Sequence, residues 1–137
     1  MINSISNSPG YRRVRLVCIG VAAILVIGWP ISIIINWADI VNSDARLGYF
    51  IGDLGLVSPL LIVSWLTLKK SEPKGSMLFL VAAGALSYDA LHFGIFLIKI
   101  KFLSVSPVLY ALLIAVILFI ILLLVKDRIK YLLTITQ

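Results

Sequence analysis

The chain has 137 residues, 61% of them hydrophobic and 13% charged, with a mean hydropathy of +1.12. Soluble domains carry about a quarter of their residues charged, so this composition excludes one and reads as an integral membrane protein; about 20 residues per spanning helix limit it to a single bundle. The net charge of +6 does not mark a nucleic-acid surface, because the basic residues stand at the ends of apolar runs, as topology signals do, and not in a stripe interleaved with aromatics. Cys18 is the only cysteine, which excludes an intrachain disulfide and Cys-x-x-Cys redox chemistry.

Residues 1–10 are rich in Ser and Asn and are expected to form a disordered tail. Arg12, Arg13 and Arg15 then lead into an apolar run from Val14 to Trp37, too long for the core of a signal peptide and therefore expected to be a retained span. Pro30 lies inside it and should kink the helix. Cys18, Ala22, Leu25, Trp29, Ser32 and Asn36 recur at spacings of three or four, on one face. That face reads either as interhelical packing ending at an interfacial Trp37 or as a cavity wall built from Trp29, Ser32 and Asn36.

Ala38 to Arg46 is a polar connection, with Asn42, Ser43 or Asp44 available to cap the second span at about 47–68. Within that span Gly48, Gly52, Gly55 and Pro59 form a stripe of small residues, the pattern by which membrane helices approach closely within a bundle or between copies. Asp53 points away from the stripe, on the side of Tyr49, Leu60 and Ser64. The segment 69–75 reads as a charged turn with Pro73 and Gly75 as its turn formers.

The third span, about 76–98, holds the most informative stretch, Ser87-Tyr88-Asp89-Ala90-Leu91-His92, which puts two ionisable side chains inside hydrocarbon. A charge there costs about 2.5–3.5 kcal/mol on insertion scales, so such residues usually face a protein interior and mark function. Ala82, Ala85, Asp89, His92 and Phe96 share one face, which is expected to look into the bundle, with Gly94 on the opposite one. Ser106 and Pro107 should start the last span, about 108–125, an almost wholly aliphatic lipid-facing wall broken by Tyr110. Lys126 to Lys130 should mark the interface, and 131–137 a short interfacial tail.

These readings define an all-α integral membrane protein: one domain at 11–130, a four-helix up-down bundle. Nine basic residues (12, 13, 15, 69, 70, 74, 126, 128, 130) fall on one side and three (46, 99, 101) on the other. The positive-inside rule then places both termini in the cytoplasm, in a plasma or bacterial inner membrane. From the helix rise, Asp53 and His92 lie about 9 Å below the outer ends of their helices and Asp89 about 14 Å. An Asp–His–Asp group in the outer half is therefore geometrically available, with Tyr49, Tyr88, Trp29 and Asn36 as neighbours.

Three functions compete for it. It could bind a small ligand, proton or ion in a transport-type or accessory subunit. It could serve an embedded enzyme for a lipid-like substrate, with His92 and Asp89 as an acid–base pair. It could simply bond helices together in a structural partner, with Gly48, Gly52 and Gly55 mediating homo-oligomers or a larger complex. Asp-x-x-His lacks the further ligands of a metal site, no hydrolase or phosphate-binding motif occurs, and no cofactor is indicated.

Overall fold

The computed structural model describes residues 10–41, 44–99 and 107–136. Almost all of them are helical: α1 (Tyr11–Val41), α2 (Asp44–Gly52), a π-helical turn (Asp53–Val57), α3 (Ser58–Lys70), α4 (Glu72–Lys99) and α5 (Pro107–Ile135). Among the described residues four segments are long and apolar enough to cross a membrane: Tyr11–Ile31, Gly48–Lys70, Glu72–Ile95 and Val108–Ile135. In hydrocarbon every backbone polar group must be satisfied within its own segment, which a continuous helix achieves. Exposed side chains such as Leu16, Ile24, Ile34, Val81 and Leu122 give the outside the apolar character of a membrane protein.

Pro30 lies inside α1, where its missing N–H leaves the Val26 carbonyl without the usual donor. The second span is broken more visibly. In a regular helix the Pro59 ring would collide with the carbonyl of Gly55, and immediately before Pro59 the helix widens into the π turn, where the Ser58 N–H donates to the Asp53 carbonyl. A π turn adds a residue to the register, so a stripe drawn at a constant 100° does not stay on one face. The glycine stripe accordingly is not a packing face of this bundle: nothing lies within 4 Å of a Cβ added at Gly48 or Gly55. The buried residues of α3 are instead Ser58, Leu61, Ser64 and Leu68, of which only Ser64 belongs to the side expected to carry Asp53.

The close approaches fall elsewhere. Only Ser71 separates α3 from α4, so the charged segment is not a seven-residue turn, and Pro73 and Gly75 sit in the first turn of α4. Pro73 suits that place because first-turn N–H groups have no partner in the helix. Gly75 is required there: an added Cβ would lie 2.5 Å from the Leu68 nitrogen and 2.6 Å from its Cα. Gly94 also departs from expectation, being buried, with a Cβ added there running into the Ile114 side chain. The core comprises Val14, Cys18 and Ala22 of α1, Val57, Leu61 and Leu68, Phe79, Ala82 and Ala83 of α4, and Ile121 and Leu124 of α5.

At the end of the bundle where α3 meets α4, Arg128 Nη1 donates to Glu72 Oε1 at 2.9 Å, with side chains 0% and 6% exposed. Tyr11 Oη donates to the Leu68 carbonyl at 3.2 Å. Arg128 is thus a buried structural charge and not a surface anchor. α5 continues through it to Ile135, so 131–135 is helix continuous with the last span.

Candidate functional site

The site forms where the π turn of the second span faces the part of α1 around Pro30. Asp53 opens the π turn, Trp29 immediately precedes Pro30, and Trp29 Nε1 donates to Asp53 Oδ2 at 2.7 Å. Such a short bond to a carboxylate oxygen is of the charge-assisted kind, roughly twice as strong as a neutral one.

Asp89 approaches from α4. Its Oδ1 lies 4.0 Å from where a Cβ on Gly52 would stand, so Gly52 leaves the space that lets this carboxyl reach α2. The Asp53 and Asp89 carboxyls are neighbours that interact with each other. Asp89 Oδ2 is buried and accepts no hydrogen bond among the described residues. The compensating charge is missing from the sequence itself: no Lys or Arg occurs in 16–41, 47–68, 75–98 or 108–125.

Aromatic rings of α1, α2 and α4 pack on one another nearby. Trp29 meets Phe50 edge-on with centroids 5.7 Å apart, and Tyr49 meets Phe93 in the same way at 5.7 Å. His92 lies 4.6 Å from Tyr88 and 6.5 Å from Tyr49, centroid to centroid.

The sequence-expected residues therefore separate. Trp29, Asp53 and Asp89 come together, and Tyr49 stands beside them. His92 and Tyr88 stack on each other at the exposed side of α4. Among the described residues no hydrogen bond or ion pair joins His92 to a carboxylate, because the Asp89 carboxyl turns toward Asp53. The side chains of Ser32, Asn36 and Phe96 lie outside the described residues. No three of His, Cys, Asp and Glu come together among those described.

Gly52, Phe50 and Phe93 were missed as members of this site. Gly52 stood in the sequence as a packing residue, and only the facing helix reveals that it makes room for a carboxyl. Pro59, six residues after Asp53, was the available signal for the irregular turn.

Fold and site together define a small helical protein of membrane-spanning character with facing carboxyls in its apolar spans. No protein-family model, no curated protein and no solved structure matches it.

Proposed function

We propose that the chain is a multi-pass protein of the cell membrane whose Asp53–Asp89 pair binds a proton or small cation, as part of a transport-type or accessory membrane subunit. The carrying observation is two facing carboxyls, one held by the Trp29 indole, in apolar stretches (16–41, 47–68 and 75–98) that contain no Lys or Arg. Two carboxyls in contact in a low-dielectric setting hold a single negative charge between them by sharing a proton, as other carboxylate dyads do. The Trp29 N–H stabilises the remaining charge. Exchange of the shared proton for a cation then needs no large movement.

An up-down arrangement is supported by the contacts Tyr11–Leu68, Trp29–Asp53, Gly52–Asp89, Gly75–Leu68 and Arg128–Glu72, in each of which one index rises as the other falls along consecutive spans. The nine-to-three basic asymmetry puts both termini in the cytoplasm. The open surface at Gly48 and Gly55 leaves room for a helix of a second copy or of a partner.

The decisive experiment reconstitutes the full chain in liposomes loaded with a pH-sensitive dye and imposes a sodium or potassium gradient. Cation-dependent proton movement is expected for the native chain and is lost in Asp89→Asn and Asp53→Asn variants that remain folded in detergent. If those variants move protons as the native chain does, or if neither chain moves them and only thermal stability changes, the carboxyls are interhelical glue. For sidedness, Ser43→Cys and Ser104→Cys are expected to react with an impermeant thiol reagent in intact cells and Ser71→Cys is not; Cys18 can remain, since it is fully buried. Labelling of Ser71→Cys alone inverts the orientation.

A further inference from the structure

The last turns of α5 carry a feature that neither the bundle nor the carboxyl pair uses. A groove of about 540 Å³ runs along Leu122, Val125, Lys126, Ile129, Lys130 and Leu133. It lies largely on the side of α5 turned away from Leu124 and Arg128, which are buried. Lys126 and Lys130 are exposed and one helical turn apart, about 6 Å along the axis. The groove has no acidic residue, since Asp127 sits on another side, with its Oδ2 3.0 Å from where a Cβ on Gly10 would stand. Thr134, the remaining lining residue, donates its hydroxyl to the Lys130 carbonyl. Two amino groups bracketed by aliphatic side chains are what the groove offers.

From these observations we infer that the α5 groove is a binding site for an anionic phospholipid, its phosphate held between Lys126 and Lys130 and an acyl chain along Leu122 and Val125. The depth fits: from Val108 to Lys126 the helix rises about 27 Å, close to the hydrocarbon thickness of about 30 Å, so the lysines stand at the level of lipid phosphates. Charge complementarity selects the headgroup, because basic residues at this level attract anionic lipids. A second copy of the same face would set lysine against lysine, and inorganic phosphate would engage the lysines while making no use of Leu122 and Val125 beside them. The inference requires that α5 spans the bilayer but is independent of the Asp53–Asp89 reading.

The test measures lipid retained by the full chain purified from membranes into dodecyl maltoside and offered dioleoyl phosphatidylglycerol or dioleoyl phosphatidylcholine in mixed micelles. Phosphatidylglycerol is expected to be retained and to raise the melting temperature, and phosphatidylcholine is not. Lys126→Gln with Lys130→Gln should weaken this preference about thirtyfold. Lys69→Gln with Lys70→Gln, exposed lysines of α3 at the same end, should leave it unchanged. The inference falls if the Lys126/Lys130 variant keeps its preference, if the Lys69/Lys70 variant loses as much, if both lipids bind alike, or if millimolar inorganic phosphate displaces the lipid. Extraction of the chain by alkaline carbonate would remove the membrane span itself and the inference with it.

Discussion

The two ends of the bundle treat buried charge in opposite ways. At the basic end, Glu72 meets Arg128, Tyr11 reaches the Leu68 carbonyl, and Gly75 lets α4 lie against the backbone of α3. The buried ions there, Glu72 and Arg128, pair with each other, and four spans are tied within a few residues of one another. At the other end the Asp53 carboxyl of the π turn faces that of Asp89, beside Trp29 and Pro30 of α1, with one indole N–H as donor and no Lys or Arg in the apolar stretches 16–41, 47–68 and 75–98. A paired buried charge holds helices in place; an unpaired one needs something from outside, a proton or a cation. The π turn sharpens the contrast, since such turns are common at functional sites and cost backbone regularity.

The largest effect should come from breaking the paired end. Glu72→Ala or Arg128→Ala leaves a lone buried ion and is expected to cost about 3–5 kcal/mol in detergent unfolding, whereas Glu72→Leu with Arg128→Met should cost much less. A single substitution costing under about 1 kcal/mol would mean the pair is solvated and the contrast between the ends is false.

Next in size is Gly75→Ala, whose Cβ would overlap the Leu68 backbone. It should destabilise by about 1–3 kcal/mol. Gly94→Ala should cost less, because only the movable end of the Ile114 side chain stands in the way. The reverse order, measured by thermal melting, would show that α4 is tied to α5 more tightly than to α3.

At the carboxyl end, Trp29→Phe keeps an aromatic ring beside Phe50 and removes only the donor to Asp53; a loss of about 1.5–3 kcal/mol is expected for a bond to a charged group. Asp89→Asn, which relieves carboxyl–carboxyl repulsion, should leave stability within about 1 kcal/mol of native or raise it while abolishing cation-linked proton movement. A large loss of stability in Asp89→Asn would make the two ends alike, both structural.

The smallest effect belongs to Gly48→Ala and Gly55→Ala. Nothing within the bundle meets the added methyl, so the helix propensity gain of up to about 1 kcal/mol should appear as slight stabilisation. Destabilisation confined to high protein concentration would instead place a second copy against that surface.

Local chemistry sufficed for the helices. Four apolar stretches, Pro107 at the start of α5, and the inward face of Cys18, Ala22, Leu25 and Trp29 all follow from hydropathy, the cost of an unsatisfied backbone in hydrocarbon and a 3.6-residue repeat. The ionisable residues Asp53 and Asp89 were also legible, because a carboxyl in an apolar run stands out whatever surrounds it. Which partners each side chain found was not legible. Glu72 is the only glutamate in the chain and lies among lysines, so sequence placed it in a surface turn; its bond to Arg128 depends on α5 returning beside the start of α4. Gly75 and Gly94 required close contact while Gly48 and Gly55 did not, because the meeting point of two helices depends on their crossing and on the extra residue of the π turn. His92 shares a helical face with Asp89, yet its ring rests on Tyr88 while the carboxyl turns to Asp53. Helix periodicity fixes a direction to within about a face, whereas a hydrogen bond needs distance to within tenths of an ångström, and that precision came only from the packing of four spans together.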